Sequence, residues 1–237
     1  MTDALRLLGF GAGGWAPALL SASLVTLFLS VAGFALGAVF GGIAAAGRVG
    51  GSRAAVIVAK AYATVFRGVP DLLTIYLLYF GGSMALTSAA HLFGAEGFVG
   101  LPAFATGTLA IGIISGAYQA EVFRGAYLAV DGGQAEAAYA HGLSKWLTLR
   151  LVILPQLLRH AIPGLGNVWQ LVLKDSALIS VIGLVELMRQ AQIGAGSTRQ
   201  PFAFYVAAAA LYFAIAAATG VLFRRAERFT MRGFERS

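Results

Sequence analysis

The chain has 237 residues, of which 59% are hydrophobic and only 11% are charged. Soluble domains carry about a quarter charged residues, so this composition excludes an ordinary soluble protein and indicates one that is embedded in a membrane. The net charge of +7 is interpreted as the excess of Lys and Arg that orients membrane proteins, rather than as a nucleic-acid-binding surface.

Five membrane spans are predicted, because a spanning helix needs about 20 predominantly apolar residues and five stretches meet that requirement. The first stretch stands out, since residues 7–47 contain no charge. The second is expected to be interrupted near Pro70, because Pro has no amide hydrogen to donate within a helix. In chain order, the predicted spans are residues 16–46, 54–86, 101–129, 156–184 and 202–223. The intervening residues 87–100, 131–155 and 186–201 are expected to be polar loops.

Basic residues give these spans an orientation, because they cluster after span one, between spans three and four, and after span five. They are Arg48, Arg53, Lys145, Arg150, Arg224, Arg225, Arg228, Arg232 and Arg236. Alternating spans place all three clusters on one side, which the positive-inside rule makes the cytoplasm. The sequence therefore predicts an all-α membrane protein with five transmembrane helices, its N-terminus outside and its C-terminus cytoplasmic.

Glycines recur every four residues in two of the spans. Gly33, Gly37 and Gly41 lie in the first span, and Gly112 and Gly116 lie in the third. This spacing leaves one helix face flat, so that another helix can approach closely. Packing within the chain is the preferred interpretation, and contact with another subunit is the alternative.

The loop at residues 131–155 is expected to be structured. Residues 134–139 are rich in Ala and predict a short helix, with Glu136 in the first turn, where a negative charge suits the helix dipole. Gly142 is expected to end that helix, and Ser144 to cap the next one. Pro155 would allow a bend where span four begins. On these residues alone, an ordinary amphipathic loop is the alternative to a loop that binds a partner.

Polar residues in span four are candidates for a substrate pathway. An ionisable group near the bilayer centre costs about 2.5–3.5 kcal/mol on insertion scales, which suggests a paired or wet location. Asn167, Gln170 and Lys174 share one helix face by their spacing, and Lys174 there would meet a substrate carboxylate. A structural salt bridge from Lys174 to another span is the alternative. Asp175 points in a different direction from its neighbour.

Three acidic residues are candidate acceptors for a basic substrate: Asp71, Glu121 and Asp175. Glu121 is spaced to pair with Arg124, and a gate or a cation-attracting site is the alternative to that structural pair.

Arg67 and Asp71 flank Gly68-Val69-Pro70, which forms either a structural hinge or part of the pathway. Further along the chain, three charged residues fall in the predicted external loop, namely Glu186, Arg189 and Arg199. They are expected to be solvated, with docking of a substrate-delivery protein as the alternative.

The chain is not expected to be an enzyme or to hold a cofactor or metal itself. It contains no Cys, and its three His are far apart. A phosphate-binding loop needs Gly-Lys followed by Ser or Thr, but the residues before Lys60, Lys145 and Lys174 are Ala, Ser and Leu. No cluster of catalytic groups is visible, which argues against a membrane-embedded enzyme.

Residues 136–155 resemble the EAA loop of the membrane subunits of ABC importers. Glu136-Ala137-Ala138 is followed after three residues by Gly142, and after nine more by residues 152–155, VILP. Val152 replaces the Ile of the family pattern. Other segments resemble the polar amino acid permeases, in the branch that serves histidine, lysine, arginine, ornithine and opines. These segments are residues 67–72, 116–118, 121, 123–126, 161–170 and 173–174.

The resemblance implies a permease of the type I ABC importer fold in the bacterial inner membrane, with residues 1–237 as a single domain and a cytoplasmic coupling loop at about 131–155. In such importers this loop contacts an ATP-binding subunit, so Glu136, Ala137, Ala138 and Gly142 are the expected coupling residues. ATP–Mg would then be bound by the partner. The implied partners are a second, similar but different permease, two ATP-binding subunits and an external amino acid binding protein. A secondary transporter or channel that works without a motor is the alternative.

Overall fold

The structure, a computed structural model, describes residues 7–11, 13–94 and 96–231, which form helices joined by short turns and contain no strand. The predicted cytoplasmic residues Arg232 and Arg236 lie outside the described residues. In chain order, the α-helices are α1 (Ala16–Gly50), α2 (Arg53–Gly68), α3 (Asp71–Tyr76), α4 (Gly82–Leu92), α5 (Ala103–Leu128), α6 (Gly132–Ala140), α7 (Lys145–Thr148), α8 (Leu154–Asp175), α9 (Leu187–Thr198) and α10 (Pro201–Met231). Two π-helical turns, Leu77–Gly81 and Leu149–Ile153, and a 3-10 helix, Ser176–Ile182, connect some of them.

Helices α1 and α5 pack closely at the centre of the fold because glycines line their contact. A Cβ atom at Gly33 would lie 2.5 Å from Ile111, and one at Gly41 would lie 2.8 Å from the Cβ of Gln119. Gly37 faces the hydroxyl of Ser115 in the same way. The glycine repeat therefore serves packing within the chain, as preferred from the sequence. Buried apolar side chains from α1, α3, α5, α8 and the 3-10 helix complete this core.

Three helical stretches among the described residues are long and apolar enough to cross a membrane: Ala16–Gly50, Asp71–Leu92 and Pro201–Thr230. They correspond to the first, the second and the fifth predicted spans. The third and fourth predicted spans are helices α5 and α8, of 26 and 22 residues. Both are long enough to cross a bilayer, but they contain the charged residues on which the candidate site is built.

The predicted second span is divided, and its interruption lies where the sequence places it. The hydroxyl of Ser52 caps α2 by accepting from the amide of Ala55, and Val69 is extended after the end of α2. Pro70 then precedes α3. The apolar stretch continues to Leu92, so the prediction that residues 87–92 belong to a loop was wrong.

Two other predicted boundaries were wrong as well. Residues 186–201 are mostly helical, because the Glu186 side chain caps α9. Helix α10 continues eight residues beyond the predicted end at residue 223, since residues 224–231 contain neither Gly nor Pro to stop it. The arginines Arg224, Arg225 and Arg228 are therefore part of a helix.

Candidate functional site

The predicted coupling loop forms a helix that ends at a left-handed glycine. The Asp131 carboxylate caps α6 by accepting from the Gly133 amide at 2.7 Å. The helix ends at Ala140, and Gly142 has φ +80°, a conformation that side-chain-bearing residues rarely adopt. The Leu143 amide then donates to the carbonyl of Ala138 at 3.1 Å. Gly142 therefore stops the helix as predicted.

The acidic residue at the start of this helix is Asp131, and not Glu136 as predicted. Glu136 is the fifth residue of α6, beyond the first turn, and its side chain is exposed. Ala137 is exposed as well, whereas Ala138 is buried against the rest of the chain. The helix begins at Gly132 and not at Gln134 as predicted, because the Asp131 cap lies outside the Ala-rich segment.

The second half of the loop matches the prediction at its cap and differs at its junction with α8. The Ser144 hydroxyl accepts from the Leu147 amide at 3.4 Å and starts α7. A π-helical turn, Leu149–Ile153, then joins α7 to α8, with Pro155 in the first turn of α8. Trp146 is 64% exposed, so this elbow presents a large aromatic side chain at its surface.

Glu121 lies at the centre of a cluster of arginines from three helices. Its carboxylate contacts Arg48 Nη1 of α1 at 2.5 Å, Arg67 Nη1 of α2 at 3.2 Å and Arg124 Nε of α5 at 3.2 Å. The predicted Glu121–Arg124 pair is confirmed, and Arg48 and Arg67 were not anticipated as partners. Arg67 therefore pairs with Glu121, while Arg67 and Asp71 flank the break between α2 and α3 as the sequence places them.

Asp71 and Asp175 lie near each other and near Tyr118, and Lys174 is the basic residue that acts on Asp175. Neither carboxylate forms a salt bridge or a side-chain hydrogen bond with any described residue. They are close enough to act on each other electrostatically, and both act on the hydroxyl of Tyr118. The guanidinium of Arg67 lies 5.6 Å from the centre of the Tyr118 ring. Tyr118 is thus a neighbour of Arg67 and of both carboxylates.

Asn167, Gln170 and Lys174 line the groove between α8 and α10, as their shared helix face predicts. Asn167 and Gln170 border a cavity of about 200 Å³, which Arg224 and Glu227 also line. Gln170 and Lys174 border a second cavity of about 740 Å³. The Lys174 side chain is exposed and forms no salt bridge with a described residue. This arrangement gives no support to the alternative of a salt bridge from Lys174 to another span within the chain.

Glu186 was expected to be solvated, and the structure shows that it is fully buried. Its carboxylate accepts from the amides of Met188 and Arg189, from the Thr26 hydroxyl at 3.2 Å and from the Tyr212 hydroxyl at 2.8 Å. It therefore joins α1, α9 and α10. The position of Glu186 directly before a helix was the available signal, because Glu beside a helix N-terminus suits the dipole. Arg189 and Arg199 are exposed, as predicted.

Comparison with known proteins places the chain in a family. Residues 37–231 match the model of the "Binding-protein-dependent transport system inner membrane component". The chain belongs to this family. It is the permease subunit of an ABC transporter, and a multi-pass protein of the inner membrane. The all-helical fold is that of the type I ABC importer permeases.

Individual relatives of this permease agree with that assignment. It is 54% identical over 234 residues to the octopine transport system permease protein OccQ of Rhizobium radiobacter, with 99% of both chains covered. It is 34% identical over 219 residues to the histidine/lysine/arginine/ornithine permease protein HisQ of Escherichia coli, with 92% of this chain and 96% of HisQ covered. A solved amino acid ABC transporter with histidines superimposes with a TM-score of 0.75 and 34% identity, over 90% of this chain and 94% of that one.

Proposed function

We propose that this permease imports opines or basic amino acids together with a second, similar permease. The substrate class is supported by the likeness to an octopine permease at 54% identity and by the weaker likeness to a permease for histidine, lysine, arginine and ornithine. Two ATP-binding subunits and an external amino acid binding protein complete the proposed assembly. ATP–Mg is bound by the ATP-binding subunits, and this chain holds no cofactor.

The single observation that carries the proposed coupling is the exposed helical elbow at residues 131–155. Its helix α6 ends at the left-handed Gly142, and the exposed side chains of Glu136 and Ala137 lie on its surface. We infer that this elbow docks on an ATP-binding subunit, with Glu136, Ala137, Ala138 and Gly142 as the coupling residues. Closure of the two ATP-binding subunits would draw the elbows of the two permeases together and turn the pathway outward.

The proposed topology has five spans: α1, the stretch from α2 to α4, α5, α8 and α10. It places the N-terminus outside and the C-terminus in the cytoplasm. The exposed arginines Arg224, Arg225 and Arg228 at the end of α10 support this orientation, because basic residues are enriched on the cytoplasmic side. With this orientation the coupling elbow lies in the cytoplasm, where an ATP-binding subunit can reach it.

The proposed pathway residues fall into two groups on different sides of α8. Asn167, Gln170 and Lys174 line the groove against α10, and its cavities would face the second permease. Asp71 and Asp175 provide two carboxylates that form no salt bridge with any described residue, which makes them the proposed acceptors for the cationic end of a substrate. Glu121, by contrast, is already occupied by arginines.

Uptake competition in vesicles that contain the assembled importer tests the proposed substrate class. Labelled octopine, arginine, glutamate and glutamine are offered with an excess of each unlabelled compound. We expect octopine or arginine to enter and to compete with each other, and glutamate not to compete. Preferred uptake of glutamate would contradict the proposal, since the two free carboxylates would repel a net negative substrate.

A further inference from the structure

The arginine cluster around Glu121 carries more positive charge than its single carboxylate can neutralise. One carboxylate meets three guanidinium groups, those of Arg48, Arg67 and Arg124. Like charges held this close repel one another. The surplus would be stabilised by a second anionic group, and the described residues supply no other carboxylate within salt-bridge distance of these arginines.

The cluster also has unused hydrogen-bond donors. Arg67 contacts Glu121 through a single nitrogen atom, although a guanidinium group offers five N–H donors. The Nε atom of Arg48 is buried and has no hydrogen-bond partner among the described residues. Arg67 and Arg124 have side chains that are 43% and 36% exposed, so a small anion has access to their free donors. Guanidinium groups are well suited to carboxylates because they bind both oxygen atoms at once.

Tyr118 connects the cluster to the acidic pair. The guanidinium of Arg67 lies against its ring, while Asp71 and Asp175 act on its hydroxyl. The arginine cluster, which has a surplus of positive charge, and two carboxylates that form no salt bridge are therefore neighbours of the same aromatic side chain. A molecule with a carboxylate at one end and a cationic group at the other has complementary charge.

We propose that Arg67, with Arg124 and Arg48 behind it, binds the carboxylate of the transported amino acid or opine, while the cationic end of the substrate lies toward Asp71 and Asp175. This inference rests on the proposed function and makes it more specific. Glu121 then holds the arginines in place when no substrate is bound and is a positioning residue. Opines carry one carboxylate more than the amino acid from which they are made, so they gain more from the surplus charge than arginine does.

Equilibrium binding to the purified importer, reconstituted in nanodiscs without the external binding protein, tests this inference. The ligands are octopine, arginine and agmatine, which is arginine without its carboxylate. The wild-type importer should bind arginine at least about ten-fold more tightly than agmatine, the loss typical of a missing hydrogen bond to a charged group. Arg67→Gln should weaken the binding of octopine and arginine by a similar factor and leave agmatine unchanged.

A matched control is Lys60→Gln, which removes an exposed positive charge from the same helix, α2, and should change none of the three affinities. Arg67→Lys keeps the charge but loses the planar fork, and it should show the same selective loss to a smaller extent; it also serves if Arg67→Gln does not assemble. Equal weakening of all three ligands, or no change in any, would overturn the inference. ATP-driven uptake of none of the three compounds by the wild-type importer would instead overturn the proposed function.

Discussion

The hydroxyl of Tyr212 donates a hydrogen bond of 2.8 Å to the carboxylate of Glu186, and this contact joins α10 to the start of α9 inside the protein. Thr26 of α1 donates to the same carboxylate. A fully buried carboxylate is tolerated because hydrogen-bond donors surround it. The contact therefore fixes the position of α9 between the two long helices.

Replacing Glu186 with Ala should destabilise the permease by at least about 3 kcal/mol, because each buried donor left without an acceptor costs about 1–3 kcal/mol. The measurement is the Tm of the purified importer in detergent. Tyr212→Phe removes one donor and leaves the carboxylate its others, so it should cost about 1 kcal/mol. Glu96→Ala is the control, since Glu96 is exposed. A Glu186→Ala variant as stable as Glu96→Ala would show that this contact contributes nothing.

The glycine contact between α1 and α5 predicts opposite effects for two substitutions in one helix. A Cβ atom at Gly37 would collide with the Ser115 hydroxyl and lie 2.8 Å from Gln119 Nε2, whereas one at Gly42 would have no atom within 4 Å. Gly37→Ala should therefore destabilise the protein by about 1–3 kcal/mol through overpacking. Gly42→Ala should stabilise it by about 0.5–1 kcal/mol, because Ala restricts the unfolded chain. Chemical unfolding of the two variants gives the comparison, and equal stabilities would argue against the close approach of α1 and α5.

Replacing Gly142 is expected to weaken the coupling to the ATP-binding subunits through its effect on backbone conformation alone. No atom lies within 4 Å of a Cβ built at this residue, but its φ is +80°. Gly142→Val should cost about 1–2 kcal/mol locally through left-handed strain and should weaken co-purification with the ATP-binding subunits or uncouple their ATPase activity from uptake. Gly142→Asn should be close to wild type, since Asn tolerates this conformation. Unchanged uptake and co-purification for the Val variant would refute the role of the elbow.

Replacing Lys174 is expected to reduce transport without preventing assembly of the importer. Lys174→Met removes the positive charge that borders the groove between α8 and α10 and should lower the rate of uptake, while the subunits still co-purify. Lys60→Met, at an exposed position of α2, is the matched control and should leave uptake unchanged. If Lys174→Met prevents assembly, Lys174 contributes to the contact with another subunit rather than to the pathway.

Local signals in the sequence were sufficient to predict the helical elbow at residues 131–155 and the break in the second span. Gly142, Ser144 and Pro70 each act through their own backbone or side chain within a few residues, and the structure confirms all three. The start of α6 was misplaced by two residues, because Asp131 caps it from outside the segment that looked helical. The π-helical turn Leu149–Ile153 has no distinctive composition, and the sequence did not predict it.

Contacts between segments that are distant in the sequence could not be predicted. Arg48 and Glu121 are 73 residues apart, and no spacing rule connects them. The prediction that Glu186 is solvated was wrong for the same reason, because its burial depends on Thr26, which is 160 residues away. The face of Asn167, Gln170 and Lys174 was predicted correctly since helical periodicity alone decides it.

The most direct test of the account is ATP-dependent accumulation of labelled octopine in proteoliposomes. The liposomes contain this permease and its permease partner, with or without the ATP-binding subunits, and the external binding protein is added outside. The account predicts accumulation against a gradient only when the ATP-binding subunits and internal ATP–Mg are present. Accumulation of octopine by the two permeases alone would contradict it and would indicate a transporter that needs no motor.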